Sequence, residues 1–130
     1  VLVDVREIAE IRASGKARLV RAGHPEPVLH RRGRKPELLC PEGDVLGCFD
    51  NTCFEVLTLA VKPGDRFYLY TDGLLERRGR TLAKGQPELL AGCARVAEMP
   101  LEEALETLAG ELLPRRKSLP DDVVLLGVEV

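Results

Sequence analysis

The chain lacks any apolar run near the roughly 20 residues that a membrane-spanning helix needs. It also lacks a large excess of charge of either sign: 19 basic against 21 acidic residues leave a formal net charge of -2. Binding to nucleic acid or to an anionic membrane surface through a broad basic face is therefore not expected. The local basic clusters Arg31-Arg32 with Arg34-Lys35, Arg77-Arg78 with Arg80, and Arg115-Arg116-Lys117 stand beside turn residues and read as solvated loops. Four cysteines occur (Cys40, Cys48, Cys53, Cys93), but none forms a C-x-x-C pair. Neither histidine, His24 or His30, completes a zinc spacing with them. Ser14 and Ser118 lie in polar turns without a nucleophile-elbow pattern, which argues against a Ser-His-Asp triad. This cysteine usage reads as a reducing, cytoplasmic setting.

What is present is ordinary globular material: 130 residues, 45 % hydrophobic and 31 % charged, enough for a single domain over 1–130 with one core. Val1-Leu2-Val3-Asp4-Val5 is strand-like from its first residue, which reads as the interior of a longer chain. Val1–Ile8 and Ala17–Ala22 flank a turn at Ala13–Lys16 and are expected to form a hairpin. Val28–His30 and Glu37–Cys40 flank the turn at Gly33 as a second pair. Phe54–Val61 reads as a strand, and Lys62-Pro63-Gly64-Asp65 as a tight turn. Arg66-Phe67-Tyr68-Leu69-Tyr70 is an almost continuous apolar run, the pattern of a strand buried on both faces. Pro87 is placed to open a helix through Ala97, and Pro100 opens a second. In that second helix Leu101, Ala104, Leu105, Leu108, Ala109 and Leu112 share one face, opposite Glu102, Glu103 and Glu106. Pro114 ends it, and Val123–Val130 returns as a last strand. Strands first, then helices, then one strand predict an α+β or layered arrangement.

Two acidic positions stand out by their place. Asp72 directly follows the buried strand, and Asp121-Asp122 directly precede the last one. If these strands are antiparallel neighbours, the carboxylates meet at one sheet edge. Clustered carboxylates need a cation between them, and hard oxygen ligands suit Mg²⁺ or Mn²⁺. Spacing alone leaves a second reading open, in which Asp-Gly is a turn and Asp-Asp a solvated boundary. His24, between Gly23 and Pro25, reads as a structural histidine at a strand corner rather than a general acid.

Three segments carry a family resemblance. Arg21–Leu29 (RAGHPEPVL) resembles the AGHPPP-type segment of SpoIIE-type, RsbU-like, metal-dependent protein serine/threonine phosphatases of the PPM class. Lys62–Glu76 (KPGDRFYLYTDGLLE) resembles their PGD…LYTDGL-x-E segment, and Pro120–Leu126 (PDDVVLL) their terminal DD-plus-strand motif. The order and intervals are those of the family. The resemblance implies an antiparallel β-sandwich flanked by helices, layered α/β/β/α, with a two-metal Mn²⁺ or Mg²⁺ site at one edge. It implies hydrolysis of phosphoserine or phosphothreonine by a metal-activated water. Asp72 and Asp121 match metal ligands, and Asp122, Thr71 and Gly73 the groups behind them.

The implied setting is bacterial signalling, with a phosphorylated anti-anti-sigma-like protein as substrate and sensor or regulatory domains in the same parent chain. The acidic strand end and Asp-Gly-x-Gly loop of the family's first half have no match here; Asp4 lacks the glycines. The alternative is therefore a PPM-like module that binds a partner without catalysis. An edge strand left unpaired would also favour dimerisation.

Overall fold

The structure is a computed structural model, which describes residues 15–45, 47–48, 50–76, 81–113 and 122–130. The expected strand Val1–Ile8, Pro114 and Asp121 lie outside those residues.

Six strands and two helices make up the described chain: β1 (Lys16–Leu19), β2 (Val28–His30), β3 (Glu37–Leu38), β4 (Leu57–Ala60), β5 (Arg66–Tyr70), α1 (Leu82–Arg95), α2 (Leu101–Leu112) and β6 (Leu125–Glu129). They form an antiparallel four-stranded sheet in the order β3-β2-β5-β6 and a two-stranded sheet of β1 and β4. All five residues of β5 are buried, as the apolar run predicts.

Period-two alternation divides those residues between two cores. Tyr68 and Tyr70 join Val28, Leu89, Cys93, Ala104 and Leu108 on the helix side. Phe67 and Leu69 join Ala17, Leu29 and Val61 on the side of the small sheet, where Leu19, Leu57 and Leu59 also point. The layers are helices, four strands, two strands. The outer helical layer of the α/β/β/α expectation has no counterpart among the described residues. None of their helices is long and apolar enough to cross a membrane.

Two turns fix the end of the sheet where β5 begins. Gly64 takes φ 88°, and the Asp65 N–H donates to the Lys62 carbonyl at 3.0 Å, closing the Pro-Gly turn. The Asp65 side chain is buried and accepts from the N–H groups of Lys62 (3.0 Å) and Arg32 (3.2 Å) and from the Arg31 guanidinium (3.4 Å). That carboxylate staples the β2–β3 hairpin to the turn before β5. Arg66 is buried as well. Its Nε donates to Glu129 at 2.5 Å, and its Nη atoms to the carbonyls of Val96 (3.3 Å) and Met99 (2.7 Å). One guanidinium thus binds the α1–α2 connection to the sheet.

The first helix differs from expectation. It begins at Leu82, five residues before Pro87, which sits inside it. Proline there removes the bond that its N–H would give to the Ala83 carbonyl. Ala83 and Pro87 are both exposed, so water can serve that carbonyl. The earlier start is set by the Glu76 carboxylate, which accepts the N–H of Leu82 at 3.3 Å, and by Gly85, which lies against Leu75. The second helix matches its pattern: Ala104, Leu108 and Leu112 are buried, and Glu102, Glu103 and Glu106 exposed.

Candidate active site at one end of the central sheet

The site is built by register. Tyr70 pairs with Leu125 across β5 and β6, so the residues leaving β5 meet those entering β6. The Thr71 N–H donates to the Val124 carbonyl at 3.1 Å. The Thr71 hydroxyl donates to the Asp122 carbonyl at 3.0 Å and accepts the Val124 N–H at 2.9 Å. Three bonds therefore lock the end of β5 to the approach of β6. Asp72 and Asp122 sit on either side of that lock, both exposed.

Immediately after Thr71 the chain tightens into a 3-10 turn over Asp72–Leu74, with Gly73 and Leu74 buried beneath it. The Asp72 carboxylate accepts the Gly73 N–H on Oδ1 at 3.0 Å, and the Asp72 carbonyl accepts from Leu75 (2.9 Å) and Glu76 (2.7 Å). These bonds fix the loop that presents the Asp72 side chain. The backbone around it is satisfied within a few residues, which leaves the carboxylate at the surface of a rigid tip.

The third contributor is the loop before β2. Val28 pairs with Tyr68 across β2 and β5. His24, four residues ahead of Val28, lies near enough to Asp72 for that carboxylate to act on its ring. The His24 ring is half-buried, and burial lowers its pKa from the usual histidine value. A hydrogen bond to the Tyr70 backbone and the nearby Asp72 carboxylate act in the opposite direction. The starts of β2 and β6 and the end of β5 thus come together at one edge of the sheet.

A polar cluster lies behind this edge that sequence reasoning missed. Gln86 Nε2 of α1 donates to Glu26 Oε2 at 2.8 Å, and Arg21 Nη1 stands 3.5 Å from Glu26 Oε1. Arg21 also donates to the carbonyls of Pro41 (3.2 Å) and His24 (3.4 Å). The Tyr70 hydroxyl is buried next to this cluster, and burial pushes its pKa up to about 12. In the sequence Glu26 is visible only as a residue between two prolines; nothing there announces Gln86, 60 positions away.

Carboxylates are the right donors for a hard divalent cation, which takes six or more oxygens. Among the described residues, however, no group of three or more His, Cys, Asp or Glu side chains could hold a metal ion. Asp72 and Asp122 supply the carboxylate character of the edge.

Comparison with known proteins agrees with this architecture. Residues 9–130 match the family model of Stage II sporulation protein E (SpoIIE). The structure of the RsbU and RsbW domains of Rv1364c from Mycobacterium tuberculosis superimposes with a TM-score of 0.77 at 33 % identity, covering 89 % of this chain and 32 % of that one. The SiaA-PP2C domain of Pseudomonas aeruginosa gives a TM-score of 0.65 at 21 % identity over 87 % of this chain and 46 % of that one. The PP2C phosphatase domain of SpoIIE from Bacillus subtilis gives 0.66 at 15 % identity, over 88 % and 34 %. The last two likenesses speak for the fold alone. The chain spans less than half the length of each of these chains. Its α+β architecture is that of PP2C domains, and with the family match running from residue 9 to residue 130 the chain belongs to the Stage II sporulation protein E (SpoIIE) family.

Proposed function

We propose that this chain is part of a Mn²⁺- or Mg²⁺-dependent phosphoserine/phosphothreonine protein phosphatase, with Asp72 and Asp121 as metal ligands. Thr71, Gly73 and Asp122 hold those ligands in place. The observation that carries the reading is the Thr71 lock, which sets Asp72 and the start of β6 at one edge of the sheet. Bound divalent cations would supply charge stabilisation at the phosphoryl oxygens and lower the pKa of a water molecule.

The chain's own residues do the remaining work. The Gly73 N–H orients the Asp72 carboxylate, the Thr71 hydroxyl fixes the spacing between the two acidic tips, and the buried Leu74 and Leu75 anchor the turn in the core. The substrate in this reading is a phosphorylated regulatory protein of anti-anti-sigma type, with regulatory domains adjoining this one in the parent chain and the reaction taking place in the cytoplasm.

The test is hydrolysis of a phosphoserine peptide by the full-length parent protein with and without Mn²⁺. Asp72→Asn and Asp121→Asn should each lower kcat by at least about 100-fold, the scale expected when a cation that stabilises the transition state is lost. Activity retained in Asp72→Asn would overturn the assignment. A wild-type parent that binds its phosphorylated partner without hydrolysing it would favour a binding module instead.

A further inference from the structure

We propose that Glu26 and Gln86 are positioning residues, a clamp that fastens the loop 21–27 to α1 and holds it against the Asp72 tip. The inference rests on the phosphatase reading and extends it to residues that touch no metal ligand.

The physical case begins with α1, which is tied to the site at two places. At its first residue, Leu82 N–H donates to Glu76 at 3.3 Å, four residues after Asp72. One turn later, Gln86 reaches the loop before β2 and donates to Glu26 at 2.8 Å. Between those ties Gly85 packs so closely on Leu75 that a Cβ there would stand 2.7 Å from the Leu75 Cβ. The helix therefore spans the end of β5 and the start of β2 as a brace.

The loop side is equally constrained. Glu26 receives Gln86 on one carboxylate oxygen and faces Arg21 with the other, and both Glu26 and Arg21 keep only 24 % of their side-chain exposure. Arg21 in turn binds the His24 carbonyl, two residues from Glu26 in the chain. Loss of either end of the Glu26–Gln86 bond would release the loop from the helix while leaving Asp72 and the Thr71 lock chemically intact. Groups that orient a site from behind commonly change metal affinity or activity by about 10- to 100-fold when removed.

The experiment uses the full-length protein and four variants: Glu26→Gln, Gln86→Glu, the double exchange Glu26→Gln/Gln86→Glu, and Glu111→Gln. Gln86→Glu sets two carboxylates face to face, whereas the double exchange restores one donor and one acceptor with their roles reversed. Glu111→Gln breaks the exposed ion pair between Arg95 of α1 and Glu111 of α2 and controls for general loosening of α1. Three quantities are read: kcat and KM for p-nitrophenyl phosphate, Mn²⁺ affinity by calorimetry, and amide hydrogen exchange at residues 21–27 and 71–73.

The clamp predicts that Gln86→Glu lowers kcat and Mn²⁺ affinity by about 10-fold or more with KM nearly constant, on the scale of a lost supporting contact. It also predicts faster exchange in both segments, recovery in the double exchange, and wild-type behaviour in Glu111→Gln. Unchanged kcat and unchanged exchange at 71–73 in Gln86→Glu would overturn it, as would an equal loss in Glu111→Gln. Failure of the phosphatase reading is distinguishable, because it shows as a wild type without Mn²⁺-dependent activity or as an active Asp72→Asn. In that case exchange at 71–73 still decides whether the clamp exists.

Discussion

The Cys93 thiol lies fully buried on α1 among Tyr68, Leu89 and Leu108, and burial pushes its pKa up to about 12. Cys40, Cys48 and Cys53 are exposed. Since the thiolate is the reactive form, an aromatic disulfide reagent at pH 8 should label three cysteines in the folded protein and the fourth only on unfolding. The same shift makes stability depend on pH. The unfolded chain releases the Cys93 proton near its ordinary value of 9.0 and the folded chain only near about 12. Stability is therefore whole below pH 9 and falls as pH rises from 9 toward 12, which thermal melts across that range would record. At this scale the sequence was legible where a residue type has one favoured environment. Cys93, inside the helix expected from Pro87 through Ala97, is such a case; Glu26 is not, because its partners stand 5 and 60 residues away and only the fold brings them in.

At the scale of elements, glycine shows how context decides the sign of a substitution. Gly85 and Gly110 both lie inside helices, and alanine is the better helix former by about 1 kcal/mol. A Cβ at Gly110 meets nothing within 4 Å, so Gly110→Ala should stabilise by roughly 0.5–1 kcal/mol in urea unfolding. At Gly85 it would collide with Leu75, and Gly85→Ala should destabilise by about 1–3 kcal/mol despite the propensity gain. Arg66→Ala should cost about 2–4 kcal/mol in the same assay, because the Val96 and Met99 carbonyls and Glu129 all lose a donor. Lysine cannot replace that three-way fork.

Periodicity located α2 within one residue, and the apolar run located β5. The start of α1 differs from the expectation because Pro87 is a strong local signal for a first turn, whereas the carboxylate that caps the helix, Glu76, stands six residues ahead of the N–H it accepts.

The molecule as a whole is organised around a sheet that serves two cores at once. Leu29 belongs to the core beneath the small sheet and Leu108 to the core beneath the helices, and β5 lines both. Removing either side chain should therefore weaken the same cooperative unit. Leu29→Ala and Leu108→Ala are each expected to cost about 2–5 kcal/mol with an unchanged urea m-value. A drop in m for one variant alone would show that the two layers unfold separately. The antiparallel meeting of β5 and β6, a condition that two apolar strands with acidic ends only suggested, is met in the register. Which small strand pairs with β1 was not legible in the sequence, since β4 lies some forty residues on and its alternation is compatible with several partners.

Register has one more consequence. The candidate site draws on three chain segments whose alignment is counted residue by residue from Val28–Tyr68 and Tyr70–Leu125. Inserting or deleting one residue in β2 or β6 would turn the side chains on the N-terminal side of the change to the opposite face relative to β5 and carry His24 or Asp122 away from Asp72. The connections at 31–36 and 43–54 lie outside that count. Length variation among relatives should therefore gather in those two loops, while the strand spacing stays invariant to the single residue.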